Sequence, residues 1–342
     1  REGFANLRPG ADYDGLHQAA LCRAKADWLV GINATRLFSV LYHRTLNIGR
    51  VMSPTLALIV QREAEIDAFK PVPFYTVQLD LPGFTAASSR MDNKGTAEQL
   101  RQVCEGGMAT VKQVERKDKT EKLPALYDLT TLQRDANRLL GFTAQQTLDY
   151  LQNLYEKKLC TYPRTDSRYL TSDMAEGLPV LVNLVANAMP FRKGIAISCD
   201  AAAVINDKKV TDHHAVIPTR NIREADLSAL PVGERAILEL VALRLLCAVA
   251  PPHTYAETAV TVECADTEFT AKGRTVKQPG WRALDAAYRA SMKNAEPDND
   301  NESKALPELT EGQKLPVAGA AVKEGKTSPP KHFSEDTLLA AM

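Results

Sequence analysis

The sequence has no excess of either charge: lysine plus arginine is 42 and aspartate plus glutamate is 42, in 342 residues. Bulk charge therefore points to neither nucleic acid nor an anionic membrane, and any electropositive surface must be local. No run is long and apolar enough to span a bilayer. Ala236–Ala250 comes nearest, but it is short and carries Glu239 and Arg244. No secretory signal is read at the start. The six cysteines, Cys22, Cys104, Cys160, Cys199, Cys247 and Cys264, include no C-x-x-C pair. That excludes the usual zinc frameworks and fits a reduced, cytoplasmic protein. Internal repeats are also lacking.

Apolar residues at 44% and charged residues at 25% describe an ordinary globular chain, long enough for two or three domains. The chain opens on Arg1 rather than methionine. It closes at Met342 inside a helix-like run, Ser334–Met342, as a piece of a longer protein would.

Residues 1–70 read as helical. Tyr13, Leu16, Ala19, Ala20 and Arg23 keep a 3.6 period with Asp12 as a candidate N-cap, and a second helix is predicted over Pro54–Ala68. The pattern changes at Pro71-Val72-Pro73. Strands are predicted over Phe74–Leu81, Ala109–Val114, Tyr255–Cys264 and Glu268–Ala271, and helix over Leu123–Tyr155, 178–190 and 231–250. Lys293–Lys304 is polar and apolar-poor and reads as a mobile loop. The order helix, strand, helix, strand suggests a β domain interrupted by an inserted helical one.

The densest segment runs from Leu129 to Leu170. Two amphipathic helices meet at Gly141, a left-handed C-cap, and Thr143, an N-cap. The pair reads as a helix-turn-helix-like unit or as an ordinary αα-hairpin. Tyr162-Pro163-Arg164 follows. In extended chain, residues i and i+2 share a face, so a phenol and a guanidinium could serve one phosphate. The phenol would attack a phosphodiester while the guanidinium holds its oxygens. A phenol of ordinary pKa, about 10, needs a base or nearby positive charge for this. The plain alternative is a packed tyrosine followed by a polar turn.

Asp212-His213-His214 is a second cluster. Adjacent histidines rarely face one ion, and no further ligand lies nearby at metal spacing, so a histidine touching phosphate is preferred to a metal site, the plain alternative being a satisfied histidine pair in a loop. Gly49, Arg50, Ser53 and Thr55 lead into a helix start, which suits a phosphate or is simply a capped loop. Gly319–Thr327, GAAVKEGKT, imitates a nucleotide-binding P-loop. Ala320 takes the place of its first glycine, and Pro329 and Pro330 forbid the helix that should follow.

Six segments, in order along nearly the whole chain, resemble the type IA DNA topoisomerases, with the topoisomerase III branch most similar. They are DWLVGINATR at 27–36, GRVMSPTLALIVQREAE at 49–65, TYPRTDS at 161–167, DHHAVIPT at 212–219, Gly280-Trp281, and SPPKHFSEDTLLAAM at 328–342. Met52 departs from the glutamine often found in that family, which weakens any claim to a contact there. The resemblance implies an isomerase that cuts one strand through a 5′-phosphotyrosine, passes a strand and reseals, without ATP. Tyr162 matches the nucleophile, Arg164 the phosphate-positioning arginine and His213 the phosphate-contacting histidine. Arg50 falls in a DNA-contacting segment, and Arg23 and Arg168 are further DNA-binding candidates.

The resemblance also implies an α+β multidomain, toroidal core. Residues 1–70 would belong to the helical base. Residues 71–123 and 252–326 would form a β-rich arch, interrupted by a helical, helix-turn-helix-like domain over 124–251, and 327–342 would return to the base. Its partners would be single-stranded DNA and negatively supercoiled or catenated DNA, with no membrane, in the nucleoid of a bacterial cytoplasm. The family's Toprim domain holds magnesium with a glutamate and a D-x-D pair. Nothing here stands in for it, Asp298-Asn299-Asp300 having no strand before it, so no metal ligand is expected in this chain and no zinc. Magnesium belongs to the parent enzyme, and the chain alone is expected to bind DNA without relaxing it. Two other readings are a non-catalytic DNA-binding helix-turn-helix module and a tyrosine recombinase or type IB enzyme. The latter needs several basic residues around a C-terminal tyrosine, whereas Tyr162 lies mid-chain. A purely structural or interaction domain is a third.

Overall fold

A helix starts where its first amides find acceptors, and the chain supplies these unevenly. In the computed structural model, which describes residues 4, 6–192, 194–292 and 305–342, the first long helix α1 (Asp14–Leu41) has no side-chain cap. Asp12 does not cap it: Gly10–Tyr13 winds as a 3-10 turn beginning after Pro9, which carries the helix start past Asp12. The second helix, α2, is Met52–Ala68. The connection is sewn to α1 by side chains, with Ile48 N donating to Thr35 Oγ1 and Leu46 N to Ser39 Oγ, each at 2.9 Å. These elements and Ser328–Ser334 form one compact unit. Within it Arg62 donates to the Lys331 carbonyl at 3.0 Å and lies 4.2 Å over the Phe333 ring.

The second unit comprises Pro71–Thr327 and Glu335–Ala340. Its strands are β1 (Pro73–Leu81), β2 (Phe84–Ser88), β3 (Met108–Glu121), β4 (His253–Cys264), β5 (Thr267–Gln278), β6 (Lys314–Pro316) and β7 (Gly319–Lys326). They make one antiparallel sheet in the order β6-β3-β4-β5-β2-β1-β7. Alternation buries Val77, Leu79, Val111, Val260, Val262 and Phe269 with Ala97 and Cys104 of helix α3 (Lys94–Cys104). The P-loop mimic is β7, paired residue by residue with β1 from Pro73–Lys326 to Asp80–Gly319. Strand β3 is longer than its apolar stretch predicts. Its charged second half is held by β4 in register as far as Glu121–His253.

The polypeptide between β3 and β4 forms a helical body with its own core. Its helices are α4 (Leu129–Leu140), α5 (Ala144–Glu156), α6 (Leu178–Ala188) and α7 (Val232–Ala248). Helix does not begin at Leu123. Asp128 caps α4 in a reciprocal box with Thr131, and Tyr127 just before it is extended, bridged to Val216. Gly141, at φ 71°, closes α4, and Thr143 with Gln146 boxes the start of α5. Helix α8 (Arg282–Ser291) follows β5 but sends Leu284 and Tyr288 into the helical core. Helix α9 is Glu335–Ala341. Each fully buried Leu or Ile in this core contributes about 1.5–3 kcal/mol. Among the described residues no helix is long and apolar enough to cross a membrane. The stretch Lys293–Lys304, expected as a loop, lies outside the described residues, and so do Asp298 and Asp300.

Gly280 marks the turn from β5 into α8. It holds φ 52°, and a Cβ there would fall 2.5 Å from the Pro251 carbonyl oxygen and closer still to that of Pro252. Trp281 N donates to that Pro251 carbonyl at 3.0 Å. Gly280→Ala is expected to cost more than about 1 kcal/mol in urea unfolding, since both the positive φ and the carbonyl contact oppose a side chain.

Candidate active site

Leu159, Cys160 and Thr161 leave α5 as buried or half-buried extended chain, and their backbone groups need partners inside the protein. Lys158 makes the turn, at φ 59°. The partners come from the distant segment Ala215–Thr219. Thr219 N donates to the Leu159 carbonyl at 2.9 Å, Thr161 N to the Ile217 carbonyl at 3.0 Å, and Cys160 bridges Pro218 antiparallel. The Thr161 hydroxyl donates to the Ala215 carbonyl at 3.2 Å and accepts from Ile217 N at 3.0 Å. Further along, Thr165 Oγ1 donates to the His213 carbonyl at 2.9 Å. Ser167 Oγ donates to the Lys209 carbonyl at 2.9 Å, and Thr211 Oγ1 to Asp166 at 3.1 Å.

This seam brings the two sequence clusters together. The half-buried Tyr162 ring lies 4.4 Å from the exposed His213 ring, tilted by 40°, and meets the Tyr155 ring edge-on at 5.5 Å. Pro163 is buried, and Arg164 beyond it is exposed, with no hydrogen bond or ion pair among the described residues. His214, the second of the pair, turns to the Ala215 carbonyl at 2.8 Å.

The other predicted residues are differently engaged. Arg168 is half-buried, and its Nε donates to the Leu126 carbonyl at 3.1 Å. Arg50 and Arg23 belong to the other compact unit. Arg50 pairs with Asp27 at 2.6 Å, and Arg23 is exposed on α1 without a partner among the described residues. The hydroxyls that made the α2 start look phosphate-ready are spent locally. Ser53 Oγ accepts from Gly49 N at 3.2 Å, and Thr55 Oγ1 donates to the Val51 carbonyl at 2.7 Å. Sequence reasoning passed over Thr161 and Thr165, whose hydroxyls sew the clusters together, and Tyr155, which packs on the phenol ring. The only signal was the threonines on either side of Tyr162. Among the described residues no three His, Cys, Asp or Glu side chains gather so as to hold a metal ion.

Beneath the site, Tyr127 continues the seam, its carbonyl accepting from Val216 N at 2.8 Å. The Tyr127 hydroxyl donates to Asp135 at 2.7 Å and accepts from Arg244 at 2.9 Å, and Arg244 also pairs with Asp135 and lies 4.2 Å over the Tyr127 ring. Burial pushes the Tyr127 phenol well above its ordinary range. Burial alone would also raise the Asp135 carboxyl. The Arg244 charge and hydrogen bonds from Arg138 and Tyr127 outweigh it and hold the group below the usual carboxylate value.

The DNA topoisomerase family model matches residues 11–342. The chain is 41% identical over 357 residues to DNA topoisomerase 3 of Bacillus subtilis, with 100% of this chain and 48% of that protein covered. The corresponding Bacillus licheniformis protein is 40% identical over 359 residues, with the same coverage. The chain thus spans about half the length of these curated relatives. Among solved structures, full-length topoisomerase I from Thermotoga maritima superposes with a TM-score of 0.73 at 22% identity, covering 95% of this chain and 52% of that one. That likeness is one of fold, and the helices plus antiparallel sheet agree with it as an α+β architecture.

The Asp135 network gives a pH dependence of stability. Its depressed carboxyl contributes fully above the ordinary carboxylate pKa, and the contribution is lost as pH falls through the lower folded value. Urea unfolding from about pH 6 to about pH 3 should show wild type losing stability. Asp135→Asn should start about 3 kcal/mol lower, with Arg244 deprived of its anion, and show a shallower acid slope.

Proposed function

Since this chain belongs to the type IA DNA topoisomerase family, we propose that Tyr162 is the nucleophile that opens one DNA strand. The reading rests above all on one observation: the Tyr162 ring lies against His213, with an unpaired, exposed Arg164 two residues on. The phenolic oxygen attacks the scissile phosphorus. The Oη–P bond forms, the bond from phosphorus to the 3′ oxygen breaks, the phenol gives up its proton and the departing 3′ oxygen gains one. The 5′ phosphate stays on the protein. Because the phosphotyrosine keeps the energy of the broken ester, the 3′ hydroxyl can reverse the step without ATP.

Arg164 forks onto non-bridging oxygens of that phosphate, where two parallel charge-assisted bonds are favoured. His213 adds a contact to the same group and holds the phenol ring in place. Arg23 and Arg50 serve the DNA backbone, Arg50 by exchanging Asp27 for a phosphate. Arg168 acts by position, tying the strand after Arg164 to Leu126. The substrate is a single-stranded segment within negatively supercoiled or catenated DNA, in the bacterial nucleoid. Residues 71–123 and 252–326 form the arch, 124–251 the helical domain that carries the tyrosine, and 1–70 with 327–342 the base. Magnesium and the Toprim domain belong to the remaining half of the enzyme, and the steps above use this chain's own side chains. The chain alone binds single strands through phosphate contacts, which weaken with salt.

The test is covalent trapping with the full-length enzyme, magnesium and single-stranded DNA labelled separately at each end. The adduct should retain the 3′-end label, vanish in Tyr162→Phe, and form about a hundredfold or more slowly in Arg164→Ala. An adduct that keeps the 5′-end label points to the recombinase reading. DNA binding with no adduct points to a non-catalytic module.

A further inference from the structure

Helix α5 leads directly to Tyr162, and its last turn has two opposite sides. On one, Tyr155 packs its ring edge-on against the Tyr162 ring at 5.5 Å. On the other, Tyr150, Asn153 and Lys157 form a stripe at i, i+3 and i+7. The start of α7 meets that stripe. Gly233 lets it approach closely, since a Cβ there would fall 2.4 Å from the Tyr150 ring. The next residue, Glu234, takes the other two. Asn153 Nδ2 donates to its Oε1 at 3.1 Å, and Lys157 Nζ donates to its Oε2 at 2.5 Å.

Glu234 is 4% exposed, and no other Asp or Glu among the described residues is as deeply buried. A carboxylate so placed is expensive to desolvate, and an apolar side chain of similar size would hold two helices together at less cost. What the charged group adds is direction. Each oxygen takes one donor, so the last turn of α5 is fixed in rotation as well as in distance. The chain to Tyr162 hangs from that turn. Lys158, in the left-handed region, donates its N–H to the Tyr155 carbonyl at 2.8 Å, and Leu159 N donates to the Leu154 carbonyl at 2.8 Å. The Ala215–Thr219 seam holds the segment itself, and Glu234 holds the helix end from which it leaves.

We propose that Glu234 is a positioning residue for strand cleavage: by clamping Asn153 and Lys157 it fixes the end of α5, and with it the place from which the Tyr162 phenol attacks. This role rests on Tyr162 being the nucleophile. Glu234 acts through α5 and touches no reacting atom.

The test separates rate from affinity in the full-length enzyme with magnesium. Single-stranded DNA labelled at its 3′ end reports how fast the covalent adduct appears, and fluorescence anisotropy reports DNA affinity. Glu234→Gln should slow adduct formation at saturating DNA by about tenfold or more, because small displacements of a reacting group cost rate steeply. Its DNA binding should be no weaker than that of wild type. Lys157→Met should slow the step too, and the double variant should be no slower than Glu234→Gln alone, since members of one clamp are not additive. Gly280→Ala, which destabilises the protein at the turn into α8, should react at close to the wild-type rate. If Glu234→Gln fails to fold by circular dichroism, Asn153→Ala, which keeps the ion pair, should slow the rate by about threefold or more. An adduct that persists in Tyr162→Phe would remove the nucleophile and this role with it. With Tyr162→Phe inactive, a wild-type rate in the clamp variants, a deficit that more DNA restores, or an equal loss in Gly280→Ala would overturn the positioning role alone.

Discussion

Two short extended segments far apart in sequence, Leu159–Thr161 and Ala215–Thr219, are hydrogen-bonded to each other, and the geometry at Tyr162 depends on that seam. The physical demand is elementary. Cys160, Ala215, Val216 and Ile217 are buried, among the described residues no regular sheet passes through the helical body to receive their amides and carbonyls, and unpaired backbone groups in a core are costly. The two segments satisfy each other. Their antiparallel register, carried on from Cys160–Pro218, sets Thr165 across from His213, and the Thr165 hydroxyl closes that end on the His213 carbonyl. The tyrosine and histidine rings meet because main-chain bonding leaves them adjacent.

The same economy governs how the helical body joins the sheet. Its entry and exit are the ends of β3 and β4, which stay paired as far as Glu121–His253. Arg282, at the start of α8, grips Glu121 through two nitrogens, and that contact holds the Glu121 carboxyl below its ordinary range. Gly280 lets the chain turn there against Pro251 and Pro252, so Leu284 and Tyr288 reach the helical core from a stretch that lies between strands in sequence. A β ribbon, a glycine turn and the Arg282–Glu121 ion pair thus help to fix the orientation of α8 on the helical core.

Much of this was legible in the sequence, for identifiable reasons. Helices α4 and α5 carry strong 3.6-residue patterns with a glycine stop and a threonine start, and TYPRTDS and DHHAVIPT stand out through their resemblance to segments of a known family. Elements whose stability comes from partners were less legible. β7 is rich in glycine and charge and is a strand because β1 pairs along it. β2 is short and follows β1 directly, while α3 is amphipathic but was not among the predicted helices. The site showed the same division. Tyr162 and Arg164 stood out by type and His213 through the family resemblance, but nothing local told that Arg50 is paired with Asp27, that Ser53 and Thr55 spend their hydroxyls on their own turn, or that Thr165 reaches His213. Those are contacts between side chain and distant or neighbouring backbone, and residue type alone does not encode them.

The central claim is that Tyr162 forms the bond to DNA because the seam presents it beside His213 and Arg164. Tyr155 and Tyr169 lie close in sequence, and Tyr155 touches the Tyr162 ring, so the chemistry must be assigned to one phenol. The direct measurement is mass-spectrometric mapping of the adduct. The trapped complex from the full-length enzyme would be digested with nuclease and protease and the nucleotide-bearing peptide fragmented. The account predicts the modification on Tyr162, within Thr161–Ser167, joined through a 5′ phosphate. A nucleotide on Tyr155, Tyr169 or any residue outside that segment would contradict it.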